Sequence, residues 1–265
     1  MKLTNSLLIN NRIKVTAIMV ISALFIAVIA TAQINNSTPV LKVTKTADFT
    51  ITGDGSNYNW SNTGWQTITE RSTTLLQQNK WNIPADKAPS TLHYSTQFKI
   101  LYSDKGIYCL YQCEDSTITA TLTEDYANLY DEDVVEAFFW PDTTMPLYFE
   151  YELSPLNYEL PVLILNNNGN IMGWKPWQYS DGRKIIHAIH INKNANAGGR
   201  FSWTAELFIP FALLSAMNNV PPQKGTQWRA NFYRIDYDKN AAYSSWQLTQ
   251  SSYHDYKNFG TIEFN

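Results

Sequence analysis

The chain is poor in cysteine, histidine and charge. Its 265 residues include two cysteines and four histidines, and the four charged residue types together make up 16%. A zinc site would need more thiols or imidazoles at suitable spacing than Cys109, Cys113 and the scattered His93, His187, His190 and His254 provide. The Gly-x-Ser-x-Gly elbow, the phosphate-cradling loop and the His-Glu-x-x-His pair are missing, so the commonest hydrolase, nucleotide and metalloprotease chemistries have no foothold. There is no basic surplus either. The formal charge is −3, which argues against nucleic acid as a partner, because phosphate binding needs a basic surface. With 44% apolar and 14% aromatic residues, so little charge also excludes a disordered chain. Repeats, low-complexity tracts and helical periodicity are absent, apart from a turn or two at 211–217.

What is present begins with a leader. Lys2, Arg12 and Lys14 flank the start of an apolar run over 15–30, and Ala30-Thr31-Ala32 before Gln33 gives a small-x-small cleavage site. The run has 16 residues, short of the roughly 20 that span a bilayer. Residues 1–32 therefore read as a signal peptide, 33–40 as a flexible stretch and 41–265 as one domain. The mature chain is expected to be secreted or periplasmic, with no membrane span. Removing three cationic residues and no acid takes its net charge from −3 to −6.

Cys109 and Cys113 lie in Ile107-Tyr-Cys-Leu-Tyr-Gln-Cys113. On a strand they share a face but stand about 13 Å apart, beyond the roughly 7 Å that a disulfide spans between Cα atoms. Both are expected to be free and buried in the core.

Runs rich in β-branched and aromatic residues recur at 40–44, 92–101, 106–113, 133–140, 147–153, 162–166, 184–191, 201–209, 227–236 and 260–264. Between them stand turn segments such as Ser103-Asp104-Lys105-Gly106 and Asn166-Asn167-Asn168-Gly169-Asn170, whose residues tolerate positive φ or bond their own backbone. Such a series, with polar hairpins and no βα alternation, predicts an all-β, antiparallel β-sandwich of jelly-roll-like layout. Trp140, Trp203 and Trp228 fall inside these runs and belong in the core. Trp174 and Trp177 lie in Gly173-Trp-Lys-Pro-Trp177, which the glycine and proline make a loop. Exposed paired indoles there would suit a glycan platform; the alternative is that they cap the open end of the sandwich.

Several motifs follow one another in order. Ile51-Thr-Gly-Asp-Gly55 precedes Trp60 and Trp65, and Leu101-Tyr-Ser-Asp-Lys-Gly-Ile-Tyr108 leads to Glu114-Asp115. Tyr130-Asp-Glu-Asp-Val-Val-Glu-Ala-Phe-Phe-Trp-Pro-Asp142 and Tyr148-Phe-Glu-Tyr-Glu-Leu-Ser-Pro155 come next. Trp203-Thr-Ala-Glu-Leu-Phe-Ile-Pro-Phe211, Arg229-Ala-Asn-Phe-Tyr-Arg-Ile-Asp236, Trp246 and His254-Asp-Tyr-Lys-Asn-Phe-Gly-Thr-Ile-Glu-Phe264 close the series. From about 41 to 265 this set resembles the family 9 carbohydrate-binding modules and their stand-alone relatives in secreted bacterial proteins. The resemblance implies a sugar held between two aromatic rings, with polar side chains on its hydroxyls. The matching ring positions are Tyr130 and Tyr253, and the strand carboxylate is Glu136, with Glu152 and Gln250 as further polar partners. The family's best-known binders carry tryptophan at both ring positions, and an arginine and an asparagine where Glu150 and Glu152 stand here. Structural calcium is also implied as possible, with no loop spaced so as to locate its ligands.

The chemistry of such a site is independent of the resemblance. The C–H face of a pyranose lies well against an aromatic ring, an interaction of about 0.5–1.5 kcal/mol if it behaves like an aromatic pair. Each hydroxyl left unpaired on burial costs about 1–3 kcal/mol, and a carboxylate can accept from two adjacent hydroxyls. Non-catalytic carbohydrate binding is the favoured reading. Two others stay open: a glycoside-active enzyme using an acid and base drawn from Glu136, Glu150 and Glu152, and a cell-surface structural domain without sugar binding.

Overall fold

In a computed structural model of the chain, residues 40–69, 94–168, 170–194, 198–238, 241–249 and 252–265 are described. The expected signal peptide 1–32, residues 33–39 and the candidate Gln250 lie outside them. Thirteen strands occur among the described residues. They are β1 (Val40–Lys45), β2 (Gln66–Thr67), β3 (Thr96–Tyr102), β4 (Gly106–Asp115), β5 (Val134–Trp140), β6 (Leu147–Leu153) and β7 (Glu159–Asn167). After these come β8 (Asn170–Pro176), β9 (Ile186–Asn192), β10 (Phe201–Pro210), β11 (Gln227–Asp236), β12 (Ala242–Ser245) and β13 (Gly260–Phe264).

All ten expected strands are found, and β6, β11 and β13 have the expected bounds. Three strands were not expected: β2, β8 and β12. The segment around Trp174, expected as a loop, is an edge strand. An edge needs pairing on one side only, so Gly173 and the terminal Pro176 are tolerated there.

The strands run in the order β8-β7-β6-β5-β11-β13-β1-β3-β4-β10-β9, with β12 added on β11 and β2 on β3. Every pairing is antiparallel except the two made by β1. Val40 to Val43 run parallel to Thr261 to Phe264 of β13, whereas Thr44 and Lys45 run parallel to Leu101 and Tyr102 of β3. The sheet thus curls at β1 into two leaves that close on each other as a sandwich.

Strand periodicity fills the space between the leaves. Val135, Ala137 and Phe139 point inward from β5, and Phe149, Tyr151 and Leu153 do so from β6. Phe98 of β3 stacks on Phe232 of β11 with centroids 3.9 Å apart, a contact that crosses the sandwich. Trp203 and Trp228 are core residues as expected. Cys109 and Cys113 of β4 are also in the core, free and completely buried. Burial pushes both thiols up, that of Cys113 to about 12, so neither is a nucleophile at neutral pH. Thiol titration should find none reactive in the folded protein and two after unfolding without reductant. No titratable thiol in an unfolded monomer would contradict this arrangement.

Among the described residues, one cation is buried between the leaves. Arg234 of β11 donates from Nη2 to Asp115 of β4, at 2.9 Å, and to Asp236. Its Nη1 donates to Thr96 Oγ1 and to the Glu114 carbonyl, and the guanidinium lies 5.6 Å from the Trp203 ring centre. Burial pushes the Asp115 carboxyl up to about 6 although Arg234 pulls against it.

Candidate functional site

The leaf containing β5 to β8 and β11 is apolar on its outer face as well. Phe138, Trp140, Tyr148, Val162, Tyr233 and Phe259 form a second cluster there, which explains why every residue of β5 is buried. Alternation on β5 turns Glu136 outward with Phe138, and on β6 it turns Glu150 and Glu152 the same way as Tyr148. Register then brings the acids together. Glu136 faces Glu152 directly across the ladder, and Glu150 faces Phe138 two pairs further along. The three border a cavity of about 480 Å³, a size that suits a small ligand.

These carboxylates are 3%, 6% and 1% exposed for Glu136, Glu150 and Glu152 respectively. Burial raises the pKa of all three, and their mutual repulsion raises Glu136 and Glu152 further. Glu150 is pushed up to about 7, moderated by a hydrogen bond shared with Glu152. The Tyr130 backbone N–H donates to Glu152, yet Oε2 of Glu152 and Oε2 of Glu150 meet no hydrogen-bonding partner. His254 stands 3.8 Å from Glu150 but shares a 2.6 Å hydrogen bond with the Tyr148 hydroxyl. Burial lowers its pKa to about 4, so it is neutral and leaves the acids uncompensated. Among the described residues, no lysine or arginine lines the cavity.

Aromatic rings wall the cavity. Tyr130 sits on the short 3-10 turn Leu129–Asp131 before β5 and is 38% exposed. Tyr253, the second expected ring position, borders the same cavity but is not a free-standing, solvent-facing ring. It is buried, stacked on Tyr233 at 4.0 Å, and its hydroxyl lies 3.0 Å from the Arg234 carbonyl and 3.1 Å from that of Ser244. Trp174 is 54% exposed and opens onto the cavity, because its ladder partner Ile164 faces that way. Trp177 does not join it. Its indole packs against the main core and donates to the Leu213 carbonyl, so the two tryptophans form no common platform. Sequence reasoning missed His254, Tyr237 and Tyr243 as cavity residues. The alternation Tyr233, Ile235, Tyr237 carries a signal for one of them; Tyr243 sits on the unexpected β12.

Two buried aspartates outside the cavity have their oxygens engaged by donors. Asp115 accepts from Thr117 N, Trp203 Nε1 and Arg234, while Asp133 accepts from the backbone N–H groups of Thr119 and Tyr237. A guanidinium and N–H donors thus occupy these oxygens, which are not free ligands of the kind that calcium takes. Among the described residues, no group of three or more His, Cys, Asp or Glu side chains is arranged to hold a metal.

A curled β-sandwich with an aromatic-walled cavity on the outer face of one leaf has the architecture of a ligand-binding module. The chain belongs to carbohydrate-binding family 9, whose model matches residues 86–264. The family is non-catalytic, which removes the glycoside-active reading of the three glutamates. Solved structures agree on the fold. A candidate carbohydrate-binding protein from Bacteroides uniformis ATCC 8492 superposes with a TM-score of 0.65 at 17% identity, covering 85% of this chain and 99% of that one. A family 9 module from Caldicellulosiruptor kristjanssonii in complex with cellotriose gives 0.57 at 13% identity, covering 86% and 94%; its glucose complex gives 0.54 at 13%, covering 86% and 96%. An extracellular protein of Arthroderma benhamiae is 25% identical over 145 residues, 52% of this chain and 62% of that protein. The chain thus spans less than two thirds of the curated relative it matches. No described helix is long and apolar enough to cross a membrane.

Proposed function

We propose that the protein is an exported module that binds carbohydrate in the cavity on the outer face of β5, β6 and β7. One observation carries this: a single cavity joins the aromatic faces of Tyr130, Tyr253 and Trp174 to the buried acceptors Glu136, Glu150 and Glu152. A sugar ring lies with its C–H face on Tyr130, between that ring and the Tyr253 wall, and its hydroxyls donate to the carboxylates. Trp174 at the rim offers a further surface for a longer chain. Export is supported by the leader-like 1–32 and by the extracellular relative. No calcium is assigned to the site.

A glycan array probed with residues 33–265 identifies the ligand class, and calorimetry then measures variants. Tyr130→Ala and Trp174→Ala should each weaken binding by a few-fold to tenfold, the equivalent of about 0.5–1.5 kcal/mol of ring stacking. Trp177→Ala should instead lower the melting temperature and leave affinity unchanged. If Tyr130→Ala and Trp174→Ala both bind a confirmed glycan as tightly as the parent, the sugar lies elsewhere.

A further inference from the structure

The cavity wall is one-sided in its charge. A neutral sugar presents hydroxyls that both donate and accept, so a matched site supplies both functions. Here several tyrosine donors of the wall are already used within the protein, and the side chains of the wall that can carry charge at mildly acidic pH are acids. The Tyr237 hydroxyl donates to the Tyr130 carbonyl, that of Tyr253 is held by the Arg234 and Ser244 carbonyls, and the lining His254 is engaged with the Tyr148 hydroxyl. Facing them are three glutamates more than nine-tenths buried that line the cavity, two of which hold a buried oxygen without a hydrogen-bonding partner. Asp131 also lines it, and no cation does among the described residues. Buried acceptors of one sign are costly to leave unmatched. A group that only donates and carries positive charge is their complement, and an ammonium has three donors and no acceptor.

Resting on the carbohydrate reading above, we infer that the cavity selects amino sugars with a free, protonated amine, of the 2-amino-2-deoxyhexose class, whose ammonium is held by Glu150 and Glu152. The ring of such a sugar keeps the C–H face that stacks on Tyr130. Its N-acetyl form has lost both the charge and two of the three donors. At mildly acidic pH the glutamates share protons, so docking of an ammonium expels at least part of one to the buffer; a neutral sugar expels none. Tyr130, Tyr237, Tyr243, Tyr253 and Tyr148 stay protonated at that pH and His254 stays neutral, leaving Asp131 as the other ionisable neighbour.

Calorimetry of residues 33–265 with glucosamine, N-acetylglucosamine and glucose at about pH 6.5 tests this. Glucosamine should bind roughly tenfold to a hundredfold more tightly than either competitor, the scale of one charge-assisted hydrogen bond. Repeating the titration in buffers of different ionisation enthalpy should show proton release for glucosamine alone. The Glu150→Gln, Glu152→Gln double variant should bind glucosamine no better than it binds glucose. Equal or tighter binding of glucose by the parent overturns the inference and leaves carbohydrate binding standing. A glucosamine preference that survives in the folded double variant overturns the assignment to Glu150 and Glu152. Should that variant fail to fold, the three-sugar comparison and the proton release of the parent decide. Failure to bind any glycan, on an array or in solution, overturns the inference together with the reading on which it rests.

Discussion

Arg234→Met should destabilise the domain by about 3–5 kcal/mol, the range seen when one partner of a buried ion pair is removed. Methionine fills much of the space but leaves Asp115 and Asp236, 0% and 5% exposed, facing each other without a cation. Thr96 Oγ1 and the Glu114 carbonyl lose a donor in the same step. For a domain of this size the melting temperature should fall by roughly 6–20 °C. Urea denaturation and a thermal melt check the two figures. Adding Asp115→Asn and Asp236→Asn to the same variant should recover part of the loss, because the damage lies in stranded charge more than in lost attraction. A loss below about 1 kcal/mol would mean that the network behaves like an exposed ion pair.

Stability should also fall as pH rises from about 6.5 to about 8. Glu136, Glu150 and Glu152 have folded pKa values above the ordinary 4.5, so the folded protein holds protons that the unfolded chain releases. Their contribution is complete below about pH 4.5 and is lost as pH passes the folded values, about 7 for Glu150 and upward for its neighbours. Asp133, pushed up to about 8 by burial, acts in the same direction. Exposed carboxylates with lowered values, such as Asp54 at about 2, finish titrating below this window, whereas His254, lowered to about 4 by burial, and His187, also lowered, work in the opposite sense up to about pH 6.5, the ordinary histidine value. Glu150→Gln cannot ionise, so it should be more stable than the parent at about pH 8 by on the order of 3 kcal/mol, at 1.36 kcal/mol per pKa unit. Near pH 4.5 the two should converge. Denaturant midpoints across the pH range measure the effect; a flat or rising parent profile would show that the three acids are solvated.

The same acids mark the limit of what could be read from the sequence. Alternation located β6 to the residue, and placed Glu150 and Glu152 on one face, because a strand's period is a local property. Their burial is not local. It depends on cover from Tyr253 and His254, a hundred residues later, and from an edge strand, β8, that glycine and proline disguised. Tyr253 shows the same thing from the other side. Turn residues around it put it in a loop, as observed, but only the tertiary fold presses that loop onto Tyr233. Trp174 and Trp177 read as one cluster because they are neighbours in sequence. Ending the strand at Pro176 sends one indole to the cavity and the other to the core.

The divided pairing of β1 bears on how fast the molecule can assemble. Lys42 meets Glu263 across a sequence separation of 221 residues, so the sandwich closes only when the ends of the domain have found each other. Closing so long a loop costs entropy that no local hairpin offsets in advance. Pairing of this kind places a protein at the slow end of two-state folding rates. Until β13 arrives, β1 and half of β11 remain open edges, the condition in which β-chains add to one another rather than to themselves. The five-residue β13, which gives no residue to the cavity wall, is therefore the piece whose docking covers the open edges of β1 and β11.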